Sequence, residues 1–518
     1  MKKKIITGIL IMLLFTILLA QNYPIVDTNQ TLFYDEFDEI TAPDPGDPFY
    51  GQDAQFEGNQ PDYTDNGDCT ITDNVTNLMW SKTCDTDGDG EINYDDKMSY
   101  DEAIASVSGV NIGGYSDWRI PTIKELYSLI IFSGEDCSGW NGSTTDLIPF
   151  IDTDYFDFGY GDVSAGERII DAQFISSTLY VSTTMNNDPT MFGVNFADGR
   201  IKGYPYGPMP GQTEDKQFYV YYVRGTENYG VNDFEDNGDG TTTDNATELI
   251  WSQNDSGEAL NWEEALAWVQ QKNNENYLGY NDWRLPNVKE LQSIIDYTRS
   301  PDTSNSAAID PLFNVTSITN AGGETDYPYF WSGTTHANMD NGSYASYVSF
   351  GRALGWMEMP PNSGNYTLMD VHGAGAQRSD PKSGDPSSFP YGHGPQGDVI
   401  RIYNYVRLVR DAEDTNSQND LPETGSIELH QNSPNPFNPS TTISFNVTQS
   451  SYFAKIEIYN LKGQKVKMFT FPNGSLGTSE QSVVWDGTDN FGNSVTSGIY
   501  FYKLDLSESP IRKMILLK

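Results

Sequence analysis

The chain has 518 residues, room for about three domains that each bury a core of their own. Apolar residues at 37% and aromatic residues at 13% argue against a disordered chain. The formal net charge of −43 argues against nucleic acid and anionic membranes as partners, because such a surface repels phosphate groups and attracts divalent cations. This acidity belongs to the first 425 residues, since 426–518 hold nearly equal numbers of acidic and basic side chains.

The N-terminus is typical of a secretory signal peptide. Three lysines precede an apolar run from Ile5 to Leu19, which ends at the small residue Ala20. The run is shorter than the roughly 20 residues that a membrane-spanning helix needs, and no cysteine follows it as in a lipoprotein anchor. We therefore predict a signal peptide over 1–20 and a mature chain without a transmembrane segment. Residues 21–60, rich in Asp, Pro and Gly, predict an extended lead-in.

Two sequence blocks then occur twice, in the same order. The block Asp-Asn-Gly-Asp-x-Thr-x-Thr-Asp-Asn begins at Asp65 and again at Asp236. The block Gly-Tyr-x-Asp-Trp-Arg-x-Pro-x-x-Lys-Glu-Leu begins at Gly114 and again at Gly279. The copies are offset by 171 residues in the first block and by 165 in the second, which indicates a duplicated domain. We place the two repeats at 61–227 and 233–411.

Each repeat predicts a hairpin, two capped helices and several strands. The hairpins turn at Asp73-Asn74 and Asp244-Asn245, between short runs of β-forming residues. A Ser, Thr or Asn stands three residues ahead of a Glu in four places, the capping-box pattern of a helix start: Ser99, Thr122, Asn261 and Asn287. Further strands are predicted at 174–184, 191–196 and 218–224, and at 329–335, 344–350 and 402–410. Loops rich in Gly, Pro and aromatic residues separate them, at 204–211, 356–366 and 387–397, and loops of this length are often functional.

After a polar linker at 412–425 the composition changes. Segments 443–447, 454–459, 482–485 and 499–506 are rich in β-formers and separated by turn residues, which predicts a small antiparallel β-sandwich over 426–518. The expected fold class is therefore α+β, with two tandem modules followed by an immunoglobulin-like sandwich.

Residues 85–96 have the spacing of an EF-hand calcium loop, with carboxylates at positions 1, 3, 5 and 12 and Gly90 at position 6. Alternate side chains converge as such a loop curls, and Gly90 permits its sharp turn. The predicted calcium ligands are Asp85, Asp87, Asp89, Glu91, Asn93 and Asp96. Because Asp96 is shorter than the usual Glu, we expect weak binding, about 10⁻⁴–10⁻³ M. The second repeat lacks this loop, which indicates one stabilising ion; the alternative is a solvated acidic turn.

The three cysteines all lie in the first repeat, and outside the cytosol a disulfide is expected. The predicted pair is Cys84–Cys137, with Cys69–Cys84 as the competitor. A catalytic cysteine is not expected, because the first repeat contains no histidine.

Two further motifs have both a functional and a structural interpretation. Asp65–Asp68 and its copy are suited to a cation, but a turn that opens the hairpin is favoured. Trp118-Arg119 and Trp283-Arg284 suggest a sugar platform, yet their place before a helix-starting Pro favours a buried Trp and an Arg bonded to a carboxylate or carbonyls.

Nothing in the sequence recommends an enzyme, and we expect none. His336, His372, His393 and His430 have no zinc spacing, and there is no Ser-His-Asp pattern or phosphate-binding glycine loop. A hydrolase or oxidase on this scaffold would have one cluster to use: His372, Arg378, Asp380 and His393.

The repeated blocks resemble the family named for the C-terminal domain of the Legionella collagen-like adhesin, over about 61–227 and 233–411. Its named member is a surface adhesin that binds sulfated glycosaminoglycans, so the resemblance implies adhesion. The order of Trp, capped helix and Trp-Arg-[Ile/Leu]-Pro also resembles C-type-lectin-like and formylglycine-generating-enzyme folds, which implies two C-type-lectin-like modules.

The last 90 residues resemble the type A C-terminal sorting domain of the type IX secretion system. The matching segments are 429–443, 458–466, 484–493 and 497–503. The resemblance implies export by the type IX machinery of a Bacteroidetes-type bacterium, and release or attachment at the outer-membrane surface. A plain immunoglobulin-like stalk is the alternative.

Together these features predict a secreted or cell-surface binding protein that recognises a glycan or a surface protein, without catalysis and with one structural calcium. The alternatives are an extracellular hydrolase or oxidase and a structural surface-layer component.

Overall fold

The computed structural model describes residues 22–207, 215–360, 363–412, 427–447, 454–462, 465–471, 481–489, 494–504 and 511–518. The predicted signal peptide and almost all of the predicted linker lie outside these residues. The chain divides into two compact units, Met1–Glu413 and Asp414–Lys518, and each is described by itself. The protein is mostly β, with several antiparallel sheets, so the α+β expectation gave the helices too much weight.

The first unit contains the lead-in and both repeats. The lead-in forms β1 (Phe33–Tyr34) and β2 (Glu39–Ile40). The first repeat forms β3 (Tyr63–Asp65), β4 (Thr70–Asp73), β5 (Met79–Ser81), α1 (Tyr100–Ser106), α2 (Ile123–Ser128), β6 (Gln173–Thr184), β7 (Asp188–Asn195), β8 (Arg200–Pro205) and β9 (Val223–Arg224). The second repeat forms β10 (Phe234–Asp236), β11 (Thr241–Asp244), β12 (Leu249–Ser252), α3 (Trp262–Asn274), α4 (Val288–Ser293), α5 (Pro301–Ser304), β13 (Ile318–Thr319), β14 (Thr325–Asp326), β15 (Tyr329–Thr335), β16 (Tyr344–Ser349), β17 (Leu354–Glu358), β18 (Tyr366–Asp370), β19 (Gln377–Pro381) and β20 (Val409–Asp411).

The duplication is visible in the strand register. Strands β3-β4-β5-β9 form one antiparallel sheet, and β10-β11-β12-β20 form its copy. Ile71 pairs with Trp80 in the first sheet, and Thr242 pairs with Trp251 in the second, at an offset of 171 residues on both strands. The predicted hairpins are therefore confirmed, and they have the same register in both repeats.

A six-stranded sheet joins the two repeats. Its order is β15-β16-β19-β8-β7-β6, so each repeat supplies three neighbouring strands. The two halves meet where Ile201 of β8 pairs with Gln377 of β19. One buried apolar core draws on both repeats, including Trp80, Phe174, Trp251 and Phe330. The repeats thus share a sheet and a core.

All four predicted capping boxes are formed. The side chains of Ser99, Thr122, Asn261 and Asn287 each accept a hydrogen bond from the backbone amide of the Glu three residues later, and that Glu accepts one in return. Helices α2 and α4 have only six residues each, a length at which caps and packing decide whether a helix forms. Loss of one cap costs about 1 kcal/mol.

The predicted closing strands are shorter than expected. Only β9 and β20 pair as strands, while Tyr219 and Tyr405 make single bridges to Phe174 and Phe330. The aromatic side chains of these segments pack into the shared core, which holds the backbone without a continuous ladder.

The lead-in packs against the second repeat. Gln30 donates from Nε2 to the Thr335 carbonyl at 2.8 Å and accepts from the Thr335 amide at 2.8 Å. Phe49 joins the second repeat's own core and lies against Trp262, with ring centroids 6.2 Å apart. The lead-in therefore completes the second repeat, although the partners in both contacts are more than 200 residues apart in sequence.

The second unit is an immunoglobulin-like pair of antiparallel sheets, β21-β22-β25 and β24-β23-β26-β27, around a common apolar core. Its strands are β21 (Ile427–Leu429), β22 (Thr441–Val447), β23 (Ala454–Asn460), β24 (Lys465–Phe471), β25 (Gln481–Trp485), β26 (Gly498–Leu504) and β27 (Arg512–Leu516). The four predicted strands are present. The sequence pattern missed β21, β24 and β27.

Candidate functional site

The repeated Asp-Trp-Arg motif is structural in both copies. Trp118 and Trp283 are buried, and their indole nitrogens donate to backbone carbonyls, including that of Tyr115 at 3.1 Å and that of Tyr277 at 2.8 Å. Neither ring can stack on a sugar from this position. The buried-Trp interpretation is confirmed.

The arginine of the motif bonds the capping glutamate of the following helix. Arg119 donates from both terminal nitrogens to Glu125 at 2.7 and 2.5 Å, and Arg284 donates to Glu290 at 2.5 and 2.7 Å. One carboxylate thus caps a helix and neutralises a guanidinium. The motif's aspartate pairs with the arginine of the closing strand, as in Asp117 with Arg224 at 2.8 Å. The motif therefore ties the helix start to the end of its repeat.

The Asp-Asn-Gly-Asp segments form the expected turns. Asp65 accepts from the Gly67 amide at 2.8 Å, and Asp68 accepts from the Thr70 amide and hydroxyl. The second repeat forms the same bonds: Asp236 accepts from the Gly238 amide, and Asp239 accepts from the Thr241 amide and hydroxyl. These carboxylates stabilise the turn that opens each hairpin.

In the predicted calcium loop three carboxylates come together. One oxygen from each of Asp85, Asp87 and Asp89 lies within 4.8 Å of the others. Asp85 Oδ2 accepts from the amide of Gly90, whose φ of 88° suits glycine, at 2.9 Å. Asp89 Oδ1 accepts from the Glu91 amide at 2.8 Å. The donor chemistry, three carboxylates on a tightly curled loop, fits a hard divalent cation.

The other three predicted ligands are not part of this group. Asp96 is buried and accepts from the amides of Thr86 at 2.7 Å and Asn93 at 2.9 Å, so it closes the ends of the loop. Asn93 caps the following turn through the Asp95 amide at 2.8 Å. The Glu91 side chain is exposed.

The predicted Cys84–Cys137 disulfide does not form, nor does Cys69–Cys84. All three cysteines are free thiols. Cys84 and Cys137 are buried and donate to different carbonyls, those of Asp157 and Ala197, at 3.7 and 3.3 Å. Burial raises the pKa of the Cys84 thiol well above its ordinary value and that of Cys137 to about 12, so both behave as small apolar side chains.

The cluster proposed for an enzyme is brought together only in part. His372 Nε2 lies 2.8 Å from Asp398 Oδ1 and 2.7 Å from Arg378 Nη1, and Arg378 also donates to Asp398 Oδ2. Asp380 instead accepts from the backbone amides of Arg401 and Ile402, and His393 is exposed. Asp398, the centre of the cluster, was missed because nothing in its sequence neighbourhood distinguishes it.

This ionic cluster is buried. His372 is 2% exposed, and burial together with Arg378 lowers its pKa to about 4, so the ring is neutral at physiological pH. Burial alone would raise the pKa of Asp398, but Arg378 and His372 outweigh it and hold that pKa well below its usual range. Because the imidazole is neutral, the carboxylate is paired and both are closed to solvent, this cluster is suited to holding the loop next to Asp398 in place.

The anchored loop carries an aromatic surface. Asp398 and His393 exchange backbone hydrogen bonds at 2.8 and 2.9 Å, and Trp356 donates its amide to the Gly397 carbonyl at 2.7 Å. The Tyr391 ring, on the same loop, stacks on Tyr366 with centroids 4.0 Å apart and planes 15° apart.

We call Trp356, Tyr366 and Tyr391 the aromatic platform. Trp356 meets Tyr391 edge-on at 6.3 Å. Tyr391 is 51% exposed and Tyr366 is 38% exposed, large values for rings that also contact each other. Tyr391 lies in the predicted loop 387–397, whereas Trp356 and Tyr366 lie on the paired strands β17 and β18, where the sequence predicted a loop over 356–366.

These features define a class: a tandem-repeat protein whose repeats share one β-sheet, followed by an immunoglobulin-like domain. The family described as the Lcl C-terminal domain matches residues 69–224 and 240–371, more than half of the chain. The chain belongs to this family and carries its domain twice, which confirms the resemblance seen in the sequence. The FlgD Ig-like domain family matches residues 432–509.

Likeness to solved structures is slight. The dimeric latent PorU of Porphyromonas gingivalis is 14% identical over 34% of this chain and 18% of its own, with a TM-score of 0.16. PorZ of Porphyromonas gingivalis, a surface component of the type-IX secretion system, is 10% identical over 65% of this chain and 51% of its own, with a TM-score of 0.13. The chain thus spans less than two thirds of either protein. No curated protein matches the sequence.

Among the described residues, no helix has both the length and the apolar character to cross a bilayer.

Proposed function

We propose that this protein is a secreted, surface-associated binding protein whose aromatic platform stacks on the sugar rings of a neutral glycan. The observation that carries the proposal is the pair of stacked and exposed tyrosines, Tyr366 and Tyr391, beside Trp356. Aromatic rings with an apolar face and a polar edge suit a ligand that has both characters.

Charge favours a neutral ligand. The net charge of −43 repels sulfated or carboxylated polysaccharides, whereas stacking on an aromatic face needs no positive charge. This distinguishes the proposal from the binding of sulfated glycosaminoglycans that the family resemblance implies.

The ionic anchor supports the proposal because it fixes the platform before the ligand arrives. Arg378 and His372 hold Asp398, and Asp398 holds the loop that carries Tyr391. A surface held in its binding conformation loses less conformational entropy on association. The same burial supports a non-catalytic role, since the cluster is closed to a substrate.

Glycan binding is tested by applying the mature full-length chain to an array of neutral and sulfated glycans. We expect neutral hits that weaken at least about tenfold in Tyr391→Ala, because an aromatic anchor carries much of the energy of such a site. The matched control is Trp140→Ala, an exposed aromatic residue of the first repeat. An array without neutral hits, or equal losses in both variants, contradicts the proposal.

The proposal includes one Ca²⁺ ion held by Asp85, Asp87 and Asp89. A calcium ion there would stabilise the curled loop by offsetting two of the three negative charges on the adjacent carboxylates, and backbone carbonyls and water would complete its oxygen shell. Calorimetric titration should give a Kd of about 10⁻⁴–10⁻³ M. We expect no binding heat in Asp87→Ala and normal heat in Asp95→Ala, an exposed carboxylate outside the group. Wild-type heat in Asp87→Ala would remove the calcium site.

We also propose that each repeat has a C-type-lectin-like fold. The buried tryptophans, the two capped helices and the antiparallel sheets of each repeat support a C-type-lectin-like module. A lectin-like module would place its binding surface on long loops, and Tyr391 of the aromatic platform lies on one of them, 387–397.

The second unit is proposed to be a type IX sorting domain. Its immunoglobulin-like fold and the FlgD Ig-like match over 432–509 support the resemblance of segments 429–443 and 497–503. The type IX machinery would then be the export partner, and the outer-membrane surface or the medium the destination. Deleting 426–518 in the native bacterium should abolish surface display and release; normal display would contradict this role.

A further inference from the structure

A cavity lies between the lead-in and the second repeat, and the proposed function does not use it. It has a volume of about 570 Å³, which is in the range of small-molecule sites. Its apolar wall consists of Ile25, Phe56, Leu249 and Leu285. Its acidic side chains are Asp27, Asp53, Glu57, Glu248, Asp282, Glu290 and Asp411, and its basic side chain is Arg284.

Both terminal nitrogens of the single arginine are already bonded. It bonds Glu290 through both terminal nitrogens and reaches Asp411 at 2.9 Å. Asp282 pairs with Arg410 at 2.8 Å. Among the described residues, the four other carboxylates of the cavity form no ion pair: Asp27, Asp53, Glu57 and Glu248. These four carboxylates therefore have no directly bonded cation, although the buried Lys289 ammonium interacts with Asp27 and Asp53 at longer range.

Asp53 is the most unusual of these groups. It is 4% exposed, and its Oδ2 accepts from the hydroxyls of Thr28 at 2.8 Å and Thr334 at 2.6 Å. No described residue donates to its Oδ1, although the residue forms part of the cavity wall. A buried carboxylate without a direct ion pair is costly to a fold, and a bound cation would offset that cost.

The spacing of the carboxylates distinguishes between kinds of cation. Within the described residues, the group of acidic side chains close enough to share one metal ion is Asp85, Asp87 and Asp89, and none of the cavity carboxylates belongs to such a group. Separate carboxylates along an apolar wall fit separate positive charges on an alkyl chain better than one compact ion. We propose that this cavity binds an alkyl ammonium cation, with Asp53 as the central counter-charge and Phe56 and Leu285 against the methylene groups.

Two kinds of molecule carry an alkyl ammonium group: a free polyamine and a partner protein with a lysine side chain. Isothermal titration of the mature full-length chain with spermidine tests the first, and titration with a short lysine-rich peptide tests the second. Titration with Mg²⁺ in parallel measures the general attraction of an acidic surface for cations.

We expect one amine probe to bind and Asp53→Asn to weaken it at least about tenfold, since a buried charge pair loses its partner. Asn has the same shape and keeps an oxygen for both threonine hydroxyls, so the fold should be retained. Glu57→Gln, on the exposed rim, gives a second variant with a smaller loss of about threefold. The matched control, Asp101→Asn, removes an exposed charge outside the cavity and should change nothing.

Three outcomes would overturn the proposal: no heat with either amine, equal affinity in Asp53→Asn and wild type, or Mg²⁺ binding at the same site with the same sensitivity to Asp53→Asn. None of these depends on the glycan array, so this site and the aromatic platform stand or fall separately.

Discussion

We expect Asp53 to affect stability in a pH-dependent way whether or not a ligand binds. Burial, reinforced by the charge of Asp27, raises its pKa to about 7 in spite of the threonine hydroxyls; Glu290 also raises it. Below about pH 7 the unliganded folded protein therefore prefers the protonated acid, whereas a bound cation would favour the carboxylate. The stability contributed by this preference is complete below the ordinary pKa near 4 and is lost as pH rises through about 7.

Replacing Asp53 with Asn should remove this dependence on pH. At pH 8 we expect Asp53→Asn to raise the free energy of unfolding by about 2–4 kcal/mol, because roughly three pKa units correspond to that amount. At pH 4 the two proteins should be nearly equal. Thermal denaturation at both pH values measures the difference; the same gap at pH 4 and pH 8 would show that Asp53 is not the group that titrates.

At the scale of single elements, the capping glutamates of the helices differ in the groups that they bond. Glu102 at the start of α1 bonds Ser99 alone, whereas Glu290 at the start of α4 also neutralises the buried Arg284. Removing the charge of Glu290 leaves a buried guanidinium with a single remaining partner, Asp411, at the surface.

Glu290→Gln should therefore cost about 3 kcal/mol of unfolding free energy, and the matched Glu102→Gln should cost less than about 1 kcal/mol. Both variants keep an amide oxygen for the cap, so the comparison isolates the ion pair. Urea denaturation of both proteins gives the two values. Equal costs would mean that the cap, and not the arginine, is the main role of Glu290.

The distance in sequence between bonded residues explains which of these elements could be predicted. Capping boxes, hairpin turns and the Asp-Asn-Gly-Asp turns depend on residues within a few positions of each other, so their patterns predict them. The partners of the lead-in, such as Thr335 for Gln30, are distant in sequence and leave no local trace. The candidate site divides in the same way: the acidic loop at 85–96 was evident, but Asp398 and the meeting of Tyr366 with Tyr391 depend on tertiary packing.

At the scale of the whole first unit, the repeats behave as two halves of an internal dimer. Lys124 of α2 donates to the Ser293 carbonyl of α4 at 2.6 Å, and Lys289 of α4 donates to the Ser128 carbonyl of α2 at 3.0 Å. The residues correspond at the same offset of 165, so the contact is reciprocal, as in a two-fold interface. Together with the shared sheet and core, this contact should make the two repeats unfold as one.

Scanning calorimetry of the mature protein should accordingly show two transitions, one for both repeats and one for the immunoglobulin-like domain. Gly203→Ala tests the coupling, because a Cβ at Gly203 of β8 would lie 2.4 Å from the His372 carbonyl oxygen of the other repeat. We expect the melting temperature of the repeat transition to fall while the transition stays a single peak, with a loss of about 1–3 kcal/mol of unfolding free energy. Gly109→Ala, where a Cβ meets no atom within 4 Å, should leave it in place. Three transitions in the wild-type protein would show that the repeats are independent domains. So would a Gly203→Ala protein in which the repeat transition splits and only one part of it moves to lower temperature.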